Sequence, residues 1–159
     1  MIFVAIEEDI VVKDSNLFQV IHKTEYINNS NIYHFTRRFP HKLGVTPVLV
    51  LSELLQHGAL KQTVLAERMG CTPGAMTNIA NKLVKLGYAK RVYNEEDRRH
   101  VLMEITDAGV SVLKDAQVQG RKVHQELFEV LTDEELEQYL NITEKLLEAS
   151  IARNQQYKP

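Results

Sequence analysis

Gly74, Thr77, Asn78, Asn81, Lys82 and Lys85 recur at a spacing that puts them on one side of a helix, with amides and hydroxyls first and lysines last. Short amides and hydroxyls can reach base edges in a major groove, and lysines can meet phosphate. From Thr72 to Asn94 the chain has no acid, while Lys82, Lys85, Lys90 and Arg91 are all basic. A local basic patch of this kind fits an anionic polymer even on a chain whose formal net charge is −2 and whose isoelectric point is near 6.3. The patch matters more than the total.

That face needs a helix to carry it. Met76, Ile79, Ala80, Leu83 and Leu86 share helical periodicity and form the opposite, buried face. Thr72 is placed to cap this helix and Pro73 to occupy its first position, where a missing N–H costs nothing. Ahead of it, Val64, Leu65 and Met69 are the apolar positions of a shorter helix that begins near Lys61, with small Ala66 at a crossing point. Gly70 ends that helix. The spacing Ala66, Gly70, Met76, Ile79 fits a helix-turn-helix, although a packed hairpin with a polar outer face needs similar residues.

The stretch after Gly87 separates those readings. Tyr88–Tyr93 and His100–Ile105 are rich in β-branched and aromatic residues, and Asn94 to Arg99 between them is polar and turn-forming. This predicts a β-hairpin. Its tip carries Arg98 and Arg99, whose guanidinium groups suit a minor groove, and Asp97 can hold one of them extended. In isolation this would be a solvated turn; behind a base-reading helix it is a wing.

Helices are expected on both sides. From Ser15 to Phe39 a broken apolar stripe runs through Leu17, Val20, Ile21, Ile27, Ile32, Phe35 and Phe39, with a kink allowed at Asn28, Asn29, Ser30 and Asn31. Thr46 and Pro47 then open a leucine-rich helix, Val48 to His57, closed by Gly58. Beyond the hairpin, Thr106 caps a long helix whose Gly120 suggests a close crossing. Thr132 and Glu135 form a capping box for a last helix striped with Leu136, Tyr139, Leu140, Leu146 and Leu147. These terminal helices have little globular core to cover, so a partner subunit is the expected cover, and folding back on the first helix is the alternative.

In sequence, Leu65–Gly70 (LAERMG), a Thr-capped helix, a strand, Asp97–Arg99 (DRR), a second strand and Ile105–Gly109 (ITDAG) resemble the MarR family of bacterial transcriptional regulators. The resemblance implies a mainly α fold with a small β-hairpin wing (α+β), a winged helix-turn-helix whose N- and C-terminal helices form a dimerisation layer. It divides the chain into an N-terminal arm and dimerisation helix (1–45), the DNA-binding domain (46–105) and C-terminal dimerisation helices (106–159). It implies a homodimer on a palindromic operator in double-stranded DNA. The DNA-facing set is then Lys61, Gln62, Thr63, Thr72, Gly74, Ala75, Thr77, Asn78, Asn81, Lys82, Arg98 and Arg99, with Asp97 supporting the wing. In the family's D-x-R pattern the arginine that enters the minor groove corresponds to Arg99.

Small ligands, oxidants or metals often release DNA in that family. His22, Tyr26, Tyr33 and Phe128 are candidates for an effector cleft between the dimer helices and the DNA-binding lobe, with core packing the competing role for each. The first long helix lacks the cysteine of the family's oxidant sensors. The single cysteine, Cys71, lies instead before the recognition helix. The six histidines, His22, His34, His41, His57, His100 and His124, offer no tight ligand pair, so no metal and no cofactor are expected. One cysteine excludes a disulfide framework and fits a reducing cytoplasm. Met1–Ile6 is too short for a membrane span or signal peptide and reads as an arm. Without a phosphate loop, nucleophile elbow or paired-carboxylate motif, an enzyme is not expected. A winged helix used for protein contact is the rival reading.

Overall fold

The computed structural model describes residues 8–93 and 101–156. The expected arm at Met1–Ile6 lies outside them. Compact packing divides the chain into two units, Met1–Gly120 and Arg121–Pro159.

In the first unit the elements follow as α1 (Glu8–Arg38), α2 (Val45–His57), β1 (Leu60–Lys61), α3 (Gln62–Arg68), α4 (Pro73–Lys85), β2 (Ala89–Tyr93), β3 (Val101–Ile105) and the start of α5 (Asp107–Phe128). The three strands are antiparallel in the order β1-β3-β2, pairing Leu60 with Met103 and Arg91 with Met103 from either side. The fold is therefore mainly helical with a small sheet, as expected, although two strands were expected and the described residues form three. Leu43, Val50, Leu51, Leu54, Leu65, Met76, Leu83 and Met103 form the fully buried core. Burying each such side chain stabilises the unit by about 1.5–3 kcal/mol. Helix α4 is thus held by its own inner face.

Both helices of the helix-turn-helix end in the same hydrogen-bond pattern. After α3, Gly70 N–H donates to Glu67 O (3.1 Å) and Cys71 N–H to Ala66 O (3.0 Å). After α4, Gly87 N–H donates to Val84 O and Tyr88 N–H to Leu83 O, both at 3.0 Å. Each pair is a Schellman motif, which needs a left-handed residue at its glycine; Gly70 and Gly87 have φ of +59° and +75°. At the other end of α4, Thr72 Oγ1 accepts from Ala75 N–H (3.2 Å), with Pro73 in the first helical position.

The structure departs from the expectations at the start of α2 and at Leu86. α1 is one continuous helix of 31 residues, without a break at Asn28–Asn31. The propensity penalty of a few such residues is below about 0.7 kcal/mol each, and the helix runs on to the restriction imposed by Pro40. α2 begins at Val45 with Gly44 as its N-cap and no side-chain cap, so Thr46 lies inside the helix. Pro47 is tolerated there because the first-turn N–H groups have no intrahelical partner. Leu86 is 41% exposed and does not share the buried face, since it is already the C-cap of α4. A Cβ built on Gly120 would meet no atom of the described chain within 4 Å.

In the second unit, α6 (Asp133–Gln156) starts with the expected capping box. Thr132 N–H donates to Glu135 Oε2 (2.9 Å) and Glu135 N–H to Thr132 Oγ1 (3.2 Å). Phe128 packs on Tyr139 with ring centroids 5.5 Å apart. No helix among the described residues is long and apolar enough to cross a membrane.

Candidate DNA-binding surface

On α4, Gly74, Ala75, Thr77, Asn78, Asn81, Lys82 and Lys85 are exposed while Met76, Ala80 and Leu83 are buried. The helix therefore presents the exposed polar and basic face that its spacing predicts. Not every side chain on it is equally available. Thr72 and Ala75 bond each other at the N-cap. Thr77 Oγ1 donates to Pro73 O at 2.9 Å, leaving the hydroxyl oxygen to accept. The Asn78 side chain makes no hydrogen bond among the described residues.

Lys82 and Asn81 are held by other elements. Lys82 Nζ donates to Lys42 O (3.0 Å), tying the end of α4 to the α1–α2 loop. An ammonium has three donors, so a phosphate contact from Lys82 remains open. Asn81 Oδ1 accepts from Arg91 Nη2 at 2.5 Å. Arg91 was expected only as part of the basic stretch. The signal for its placement is the strand alternation from buried Ala89, which sets Arg91 on the sheet face turned to the helices.

The same loop is anchored once more. His41 Nε2 lies 2.9 Å from Asp115 Oδ2 of α5, and His41 Nδ1 lies 3.4 Å from the Tyr88 hydroxyl. Tyr88 directly follows the Gly87 turn, so His41 and Lys42 both tie the loop to the end of α4. Elsewhere, Arg68 is neutralised by Glu53 at 2.7 Å and Lys90 pairs with Glu104 at 3.3 Å. Lys61 is exposed on β1 opposite Leu102, Gln62 is half-buried at the start of α3, and Thr63 is exposed.

Strands β2 and β3 pair from Ala89↔Ile105 to Tyr93↔Val101 and so build the stem of a wing. A helix-turn-helix followed by this antiparallel stem is a winged helix. Asp97, Arg98 and Arg99 lie outside the described residues.

Comparison with known proteins agrees with that geometry. The model of the MarR family matches residues 45–101, which hold α2, the helix-turn-helix and the first wing strand, β2, and reach the start of β3. The HTH-type transcriptional repressor MdtR of Bacillus subtilis is 35% identical over 111 residues, covering 69% of this chain and 72% of its own. The chain belongs to the MarR family. The MarR multiple antibiotic resistance protein of Salmonella typhimurium is 28% identical, with 68% of this chain and 76% of its own covered. Among solved structures, the YusO protein from Bacillus subtilis covers 91% of this chain and 99% of its own at a TM-score of 0.70 and 26% identity. Wild-type MarR from E. coli, in its apo form, covers 82% and 96% at a TM-score of 0.70 and 25% identity. As a MarR-family protein this chain is a helix-turn-helix regulator of transcription, not an enzyme.

The MarR-type effector candidates fall in both units. Tyr26 is 73% exposed and Tyr33 is 55% exposed on α1. Tyr33 accepts a hydrogen bond from Arg37 Nη1 (2.9 Å) on its own helix, and His22 is exposed. Phe128 belongs to the second unit, where it lines an apolar recess with Leu136, Tyr139, Leu140 and Thr143. Cys71 is a free, half-buried thiol in the turn before α4. No group of histidine, cysteine and carboxylate side chains among the described residues could hold a metal ion.

Proposed function

We propose that this protein is a homodimeric repressor that binds a palindromic operator in the cytoplasm. The recognition helix α4 lies in the major groove and Arg99 of the wing in the adjacent minor groove. The observation that carries the reading is the exposed, acid-free face of α4, on which Asn78 is unengaged among the described residues. The repressor assignment is supported by the name of the Bacillus subtilis relative MdtR.

The dimer is supported by apolar side chains left in solvent on single helices. On α1, Leu17, Phe18, Val20 and Ile21 are each about half or more exposed, and on α6 so are Leu140, Leu146 and Leu147. Contiguous apolar patches of this kind mark interaction surfaces. The occupant is a second copy, because a two-fold operator mirrors a two-fold protein with half-sites about 34–36 Å apart. A small-molecule effector then releases the DNA.

Selection of bound duplexes from a random pool tests this directly. An inverted repeat with two equal half-sites is expected, together with a dimer in sedimentation and a monomer after truncation beyond Leu131. A chain that selects no sequence, or a single half-site as a monomer, overturns the reading.

A further inference from the structure

The Arg91–Asn81 contact sets which way one base-reading amide faces. Arg91 stands opposite Met103 in the β2–β3 ladder, and Met103 is fully buried. Directly paired residues of an antiparallel sheet point to the same side. Arg91 therefore leaves the sheet toward the helices, and its guanidinium reaches Asn81 Oδ1 on α4. A guanidinium has five N–H donors and no acceptor. The amide atom it meets must be the carbonyl oxygen, so the chemistry itself fixes the orientation of Asn81, which shape alone leaves ambiguous. No acid between Thr72 and Asn94 competes for the guanidinium.

An unrestrained asparagine pairs with adenine through both amide atoms, accepting from N6 and donating to N7. In Asn81 one of the two lone pairs of the accepting atom is already engaged by a charge-assisted bond, the stronger kind, which draws electron density from that oxygen and weakens it as an acceptor for the adenine amino group. The amino group, with two N–H donors, is left to lead. Guanine alone among the purines shows only acceptors, N7 and O6, in the major groove.

We propose that Arg91 is a specificity-positioning residue, which turns Asn81 into a donor and makes it select guanine over adenine. The proposal rests on the reading of α4 as the groove-facing helix.

The test is duplex selection with the parent, Asn81→Ala and Arg91→Ala, followed by binding to the selected site with guanine replaced by 7-deazaguanine. The parent should select one guanine per half-site that Asn81→Ala no longer distinguishes. The preference should be about 5- to 150-fold, the range of a good base contact. Arg91→Ala should shift that one position toward adenine and leave the others intact. Loss of the guanine N7 should weaken the parent and leave Asn81→Ala unmoved at that base. Arg91 is exposed, so its variant should unfold at the parent's midpoint.

If Arg91→Ala keeps the parent's preference everywhere and only lowers affinity with a shallower salt dependence, Arg91 is a phosphate contact and the proposal is wrong. An adenine at the Asn81-dependent position of the parent's site also overturns it. A parent with no base preference at all would instead remove the operator reading, and this proposal with it.

Discussion

Gly109 lies against the backbone of Tyr88 so closely that a Cβ on it would sit 2.0 Å from the Tyr88 carbonyl oxygen. That oxygen accepts from Thr106 N–H at 3.1 Å. Thr106 Oγ1 in turn accepts from Gly109 N–H (3.1 Å) and donates to Gly87 O (2.6 Å). One threonine thus caps α5 and closes the turn that ends the recognition helix. The Thr106–Gly109 segment is a clasp between α4 and α5, and the glycine is what lets the two backbones meet.

Gly109→Ala should destabilise the protein by about 1–3 kcal/mol or more, the cost of overpacking against a backbone that cannot step aside. Denaturant unfolding gives the measurement. Gly74→Ala is the control, because a Cβ there meets nothing within 4 Å; its midpoint should hold or rise, alanine being better than glycine in a helix by roughly 0.5–1 kcal/mol. Equal midpoints for the two variants would show that the Tyr88 contact carries no constraint.

Thr132→Ala removes the Oγ1 acceptor that satisfies Glu135 N–H at the start of α6. A loss of about 0.5–2 kcal/mol is expected. Amide exchange in the first turn of α6 should accelerate with it. Thr132→Ser keeps the hydroxyl and should restore most of the protection; if serine behaves like alanine, the methyl group and not the cap is what matters there.

Asn78→Ala should relax preference at one base per half-site by roughly 1–3 kcal/mol, since neither atom of the Asn78 amide is engaged among the described residues and both can make a bidentate contact. Binding to a panel of single-base operator variants measures it. Equal weakening on every sequence would mean that Asn78 positions the backbone and reads no base.

Arg99→Ala should weaken A·T-flanked operators most, because a narrow groove attracts guanidinium groups. With one such contact from each subunit, the slope of log affinity against log salt should become shallower by roughly 1.8 per dimer. Asp97→Ala should partly mimic the change, and Arg98→Ala should do less. A salt series on duplexes with different flanks reads all three; parental binding by Arg99→Ala on every duplex would remove the wing from the interface.

Most of the helix boundaries are legible in the sequence because their signals are local. Gly70 and Gly87 close α3 and α4, Thr72 with Pro73 opens α4, Thr106 opens α5 and Thr132 with Glu135 opens α6. Each involves hydrogen bonds spanning no more than about one helical turn, so residue type and spacing suffice. The outward face of α4 is legible for the same reason, as a periodicity. The tertiary structure alone decided the rest. β1 is two residues long and exists only because Leu60 and Lys61 meet Met103 and Leu102 of a distant strand. Leu86 lost its place in the core to the geometry of the helix end. ITDAG is visible as a string, yet Gly109 is required because the chain returns to Tyr88. Arg91 looked like one more surface charge until the sheet carried it to Asn81. Hydrogen bonds within a turn are written in neighbouring residues, whereas contacts between elements depend on where the fold brings the chain back upon itself.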